Sequence, residues 1–243
     1  MLKALKYGRV NAASRAVKSE LLNWNTYQKL LSARSTGDIF LILKETCYAP
    51  FLTGTSHDEL REATRRYFLK KVDTLSRWLE STVLEEFFVK GRKIPLIRKF
   101  LKTKEFREFS ESWIDLVNVL TVAKGKLFLK LKTEEISKEL IPGGRFKSLL
   151  PELLKATSLD EFSQILKSRV GEFFSLEELR RKVYTYHVST MERILLGYPF
   201  KESIPFAVLR LKEIELMNLQ SIVEGIRFKL ERKEIEGMLI ALS

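Results

Sequence analysis

The apolar positions of this chain recur at steps of three and four along almost every long segment, the spacing of amphipathic helices. Residues 12–31 place Ala13, Ala16, Val17, Leu21, Trp24, Tyr27, Leu30 and Leu31 on one stripe. Residues 58–89 read as one long helix or a helix pair. Asp58 is the expected N-cap, and Leu60, Ala63, Tyr67, Val72, Leu75, Trp78 and Leu79 supply the inward face. Residues 105–123, 146–156, 159–169, 175–196 and 205–230 read in the same way. The breaks fall where Gly, Pro, Ser and Thr gather, at 35–37, 50–56, 91–95, 142–144 and 197–199. A weak alternation near Lys126–Lys132 is the only hint of a strand. The expected fold is all-α.

Self-similarity sharpens this reading. The segment LLSARSTGDIFLILKE (residues 30–45) aligns without a gap on LLKATSLDEFSQILKS (residues 153–168). Both predict a helix end, a short turn and a new helix with an acidic first turn. A second unit recurs around asparagines. Ile114, Asp115, Asn118, Thr121, Val122 and Gly125 share one helical face. Ile214, Glu215, Asn218, Ser221, Ile222 and Gly225 repeat the same types at the same spacing. A fainter copy surrounds Asn11, with Tyr7, Gly8 and Ser14. These repeats predict similar helical modules within one multi-module domain over 1–243, with approximate bounds 1–105, 106–200 and a short 201–243.

Charge and chemistry narrow the functional classes. The 43 Lys and Arg against 31 Asp and Glu give a net charge of +12, a surface suited to polyanions or acidic partners. Residues 90–107 are the most basic stretch, with Lys90, Arg92, Lys93, Arg98, Lys99, Lys102, Lys104 and Arg107 against Glu105. The simplest reading of such a run is a solvated face. No P-loop pattern occurs, and His57 and His187 have no Cys or His at ligand spacing, so no metal is expected. The single Cys47 rules out an intrachain disulfide and reads as a small buried hydrophobe. Glu213 and Glu215 beside Lys212 are the one carboxylate cluster that stands out. Helix surfaces offer such pairs routinely, so no catalytic residue and no cofactor are expected. The apolar runs are too short for a membrane span, and the opening residues read as mature, cytoplasmic sequence. The charge also admits a basic helical nucleic-acid-binding module, although none of the usual recognition patterns is present.

The stretch from Tyr198 to Leu239 resembles the C-terminal signature of the C/d subunit family of A-type and V-type rotary ATPases. Lys212, Glu213, Glu215, Asn218, Leu219, Ile222 and Gly225 occupy its motif positions. The opening from Tyr7 to Tyr48 is similar to the family's first helices. Asp115, Asn118, Gly125, Pro142–Gly144 and LLKATSLDEF are similar to its second module. Family members are longer and carry three full modules, and the Arg usual after Asn-Leu is replaced here by Gln220 and Ser221. The resemblance implies a funnel-shaped, pseudo-threefold helical protein. It implies a non-catalytic central-stalk component on the cytoplasmic side of the membrane, between the central shaft and the proteolipid ring, transmitting torque. Asn11, Asp115, Asn118, Gly125, Lys212, Glu213, Glu215, Asn218 and Gly225 are then the motif or interface candidates. Arg98, Lys99 and Lys102 are candidates for contact with the membrane sector. The polar asparagine stripes are expected to line the wet inside of the funnel, with tight packing inside a module as the competing reading.

Overall fold

The structure, a computed structural model, describes residues 2–242, with side chains described from Tyr7 onward. Among these residues it is all-helical, as the periodicity requires. In chain order the helices begin with α1 (Leu2–Ser19), α2 (Trp24–Leu31), α3 (Thr36–Leu43), α4 (His57–Leu79), α5 (Val83–Phe88) and α6 (Lys93–Phe100). They continue with α7 (Lys104–Ala123), α8 (Thr133–Glu139), α9 (Leu150–Lys155), α10 (Leu159–Val170), α11 (Leu176–Leu196), α12 (Ser203–Arg227) and α13 (Arg232–Met238). A π-helical turn, Lys124–Phe128, extends α7.

Local chemistry sets the boundaries, and it corrects several sequence-based limits. The stripe over 12–31 is two helices. Asn23 caps the second by accepting the Thr26 amide at 2.9 Å. Ser56, not Asp58, caps α4, in a reciprocal box with Glu59. The helix expected over 146–156 is shortened to Leu150–Lys155. The alternation at 126–132 belongs to the π turn and the loop after it, not to a strand. The matched serines of the 30–45 and 153–168 segments have the same task. Ser35 accepts the Asp38 amide at 3.2 Å, and Ser158 accepts the Glu161 amide at 3.3 Å. Asp38 and Glu161 reach back to the amides of Arg34 and Thr157, at 2.9 and 2.7 Å.

The chain forms two compact units. Unit 1 comprises residues 1–93 and 194–243; unit 2 comprises residues 94–193. Residues 201–242 lie in the same unit as the first part of the chain. The core of unit 1 joins Leu30, Ile39, Leu43, Tyr48 and Tyr67 to Leu219, Ile222 and Ile235. The core of unit 2 joins Val119, Val122 and Ile136 to Leu153, Phe162, Leu166 and Phe173. Under the sequence repeats Leu30, Ile39 and Leu43 correspond to Leu153, Phe162 and Leu166, while Ile222 and Ile235 correspond to Val122 and Ile136. Equivalent positions thus fill equivalent cores, and each side chain so buried contributes about 1.5–3 kcal/mol. Unit 2 builds this set from continuous sequence; unit 1 builds it from two distant segments.

Candidate functional site

The asparagine repeat is a backbone clamp. In unit 2, Asn118 donates its Nδ2 to the Ile141 carbonyl at 2.8 Å, and its Oδ1 accepts the Ile141 amide at 2.9 Å. In unit 1, Asn218 treats Ile240 identically, at 2.7 and 2.9 Å. A carboxamide is the side chain that can offer one donor and one acceptor side by side to a single residue's peptide groups. Each clamp draws the extended segment after a short helix back onto the long helix. Both asparagines are buried, so losing either bond strands a peptide group away from water.

The glycines of the stripe allow that return. A Cβ on Gly125 would lie 2.7 Å from Ile136 Cγ1, and one on Gly225 would lie 2.6 Å from Ile235 Cγ1. Only hydrogen leaves room for α8 to approach α7, or α13 to approach α12, this closely. The two copies differ by one residue after the glycine. In unit 1 the Phe228 amide bonds the Glu224 carbonyl at 2.8 Å, a normal helical step. In unit 2 the Leu129 amide bonds Lys124 at 2.9 Å, one residue further back. The π turn thus absorbs the inserted residue, and the register is restored. Leu131 then bonds Gly125, and Leu230 bonds Gly225, both at 2.9 Å.

The carboxylate three residues before each asparagine holds a second segment. Asp115 accepts the Arg145 and Phe146 amides at 3.1 and 2.9 Å. Burial raises its pKa to about 6, against the pull of those amides, the Tyr186 hydroxyl and Arg145. Glu215 accepts the Leu22 amide at 2.5 Å, the Tyr48 hydroxyl at 2.6 Å and the Lys212 ammonium at 2.6 Å. Lys212 is fully buried and also donates to the Glu20 carbonyl at 2.7 Å. Leu22 is the counterpart of Arg145 under the 30–45/153–168 match, so both carboxylates hold the same point of the module. Glu213 lies to one side. Arg210 and Lys93 pair with it, Lys93 at 2.7 Å, and hold its pKa below the usual value despite burial.

Asn11 is a defective third clamp. Its Nδ2 donates to the Pro199 carbonyl, but its buried Oδ1 has no partner among the described residues. Proline has no amide hydrogen to return. Gly8 stands where the other copies carry a carboxylate.

Asp115, Asn118, Glu215 and Asn218 are therefore enclosed within their own units, at 0–2% exposure. The expectation that these stripes line an open cavity fails, because backbone and side-chain groups of the same unit already take up their hydrogen-bonding capacity. The competing reading, packing within a module, describes them. The segments that the carboxylates hold, and the Ile136 and Ile235 partners of the glycines, were missed in the sequence. The repeat of Glu135–Ile136 as Glu234–Ile235 was the available signal. Arg98, Lys99 and Lys102 are exposed, whereas Leu96, Ile97 and Phe100 of α6 are buried. Among the described residues no helix is long and apolar enough to cross a membrane.

The family model described as "ATP synthase (C/AC39) subunit" matches residues 10–93 and 93–238, which include every clamp residue but Ile240. The C subunit of the A-type ATP synthase of Pyrococcus abyssi is 22% identical over 243 residues, covering 96% of this chain. The chain spans 60% of that relative's length. With its match extending over most of the sequence, the chain belongs to the ATP synthase (C/AC39) subunit family.

Proposed function

We propose that the chain is a non-catalytic coupling subunit in the central stalk of an A/V-type rotary ATPase. It joins the central shaft to the membrane proteolipid ring on the cytoplasmic side and transmits torque between them. The family match over residues 10–238 carries this reading. The clamps support it physically. A coupling element must resist deformation, and here buried side chains tie segments far apart in sequence to one long helix. A pull-down from detergent-solubilised membranes tests the reading: ring and shaft subunits should come down with the tagged chain. Recovery of neither would end it.

Attachment to the membrane sector is chiefly protein–protein in this reading, with Arg98, Lys99 and Lys102 adding an electrostatic share. Reversing all three to Glu should weaken co-purification with the membrane sector without abolishing it, with the largest deficit at low salt. An unchanged yield at every ionic strength would return α6 to the role of a solvated face.

A further inference from the structure

Residues identical between 114–141 and 214–240 mostly have a structural duty, as the two asparagines, the glycines and Ile141 with Ile240 illustrate. One feature of the repeat does not: each turn exposes a phenylalanine, Phe128 and Phe228, which the insertion sets one place apart, so that Phe228 aligns with Leu129. Phe128 and Phe228 are 71% and 67% exposed. Each lies where a long helix ends, Phe228 directly before a lysine in left-handed backbone, Lys229 at φ 57°, and Phe128 one residue earlier in its turn, before Leu129 and Lys130 at φ 55°. The bonds from Leu131 to Gly125 and from Leu230 to Gly225 lock both turns. The phenylalanine is thus presented outward by a built turn in each copy. In unit 2 the tip is larger: Leu129 and Leu131 are also exposed. Lys124, Lys130 and Lys132 of the same segment are exposed, Lys126 is half-buried and bonds Thr133, and no carboxylate occurs from 124 to 132.

We propose that the 124–132 turn is an anchor for an anionic bilayer surface. Phe128, Leu129 and Leu131 enter the interfacial region, and the lysines reach phosphate and acidic headgroups around them. An apolar tip with a cationic collar matches a surface that is negative outside and apolar just beneath. The collar is entirely lysine. Lysine is depleted from protein–protein interfaces, but its long stem lies along apolar surface while the ammonium stays in the polar layer. The Phe228 turn has a smaller apolar tip and is flanked by Glu224 and Glu231 as well as Arg227 and Lys229, so it makes the weaker contact. The inference rests on the turn alone and does not depend on the stalk reading.

Sedimentation of the full chain with vesicles tests it, using phosphatidylcholine alone and phosphatidylcholine mixed with phosphatidylglycerol. The chain should bind the mixed vesicles and release them as salt rises. Phe128→Ser should lower the partition coefficient at least about tenfold, and Lys130→Glu about fivefold or more. Phe228→Ser should have a smaller effect. All these side chains are exposed, and an unchanged circular dichroism melt verifies the fold. In Phe128→Trp, the fluorescence gained over the parent should move to the blue on mixed vesicles and be quenched by brominated acyl chains. Absent binding at low salt, or binding indifferent to Phe128 and Lys130, overturns the proposal. So does a Phe128→Trp signal that ignores vesicles but shifts on adding the detergent-solubilised membrane sector, which would identify an acidic protein surface instead.

Discussion

Units 1 and 2 use one clamp with two electrostatic solutions. In unit 2 the anchoring carboxylate is the short Asp115, and its partners are two backbone amides and a tyrosine at 3.4 Å. In unit 1 it is the longer Glu215, held by one amide, a tyrosine and the buried Lys212. The residue equivalent to Lys212 is Ser112, whose hydroxyl lies 2.7 Å from His187 Nδ1. Unit 2 assembles from contiguous sequence, so local amides reach the carboxylate. Unit 1 draws its second segment from residues 193 positions away, and a full ion pair holds the junction. The difference teaches that the hydrogen-bond geometry defines the module, whereas the charge complement varies with how the segments are joined.

The largest expected effect comes from removing the charge that only unit 1 uses. Lys212→Met leaves Glu215 without its cation in a site closed to water. Its expected cost is about 3–5 kcal/mol, read as a fall in the denaturation midpoint. Adding Glu215→Gln should recover part of that loss, because the stranded charge is gone. Ser112→Ala in unit 2 should cost far less. If Lys212→Met were no worse than Ser112→Ala, the ion pair would not be what distinguishes the units.

The asparagines test what the units share. Asn118→Ala and Asn218→Ala each remove the two bonds of the clamp and strand a peptide N–H and C=O, and Asn218→Ala also removes a longer bond to the Tyr27 hydroxyl, at 3.4 Å. Each should cost about 2–3 kcal/mol. Hydrogen exchange should show the Ile141 amide released in the first variant and the Ile240 amide in the second. Asn11→Ala removes one bond and an unpartnered acceptor, so it should cost clearly less. Equal losses at all three positions would break the idea that Pro199 has disabled the third clamp.

Much of this was legible in the sequence, and what was hidden had a physical reason. Helical spacing marked α7, α10, α11 and α12 because each buries one stripe of a long helix. The Ser35/Ser158 match correctly announced equivalent helix starts. The break between α1 and α2 was not visible, because the Leu22 amide is captured by Glu215 from a distant helix and no local pattern records that. The asparagine stripes were found, but their setting was misjudged. A row of small and hydrogen-bonding side chains looks the same whether it faces water or returning backbone. The decisive partners, Ile141 and Ile240, lie beyond a short helix, and a one-residue insertion shifts one copy against the other.

Asp115 provides the finest discrimination between the units. Its folded pKa of about 6 lies above the ordinary aspartate value of 3.8, with burial as the cause. The folded chain therefore holds a proton at this site that the unfolded chain has released. Stability from this group is fullest at low pH and is lost as pH rises through the folded value. From about pH 4.5 to about pH 6.5 the loss should be about 2 kcal/mol. Carboxylates whose pKa values are lowered, Glu213 among them, act in the opposite sense, and their stabilising contributions disappear as the medium becomes more acidic. The comparison must therefore be made between variants, not read from one profile. Asp115→Asn accepts one amide in place of two and cannot ionise. It should be less stable than the parent at pH 4.5, and the deficit should narrow as pH rises to 6.5. Denaturant titrations of both proteins at several pH values measure this directly. Parallel profiles would mean that the two amides hold Asp115 ionised throughout, and that unit 2 tolerates its buried charge without the cation that unit 1 employs.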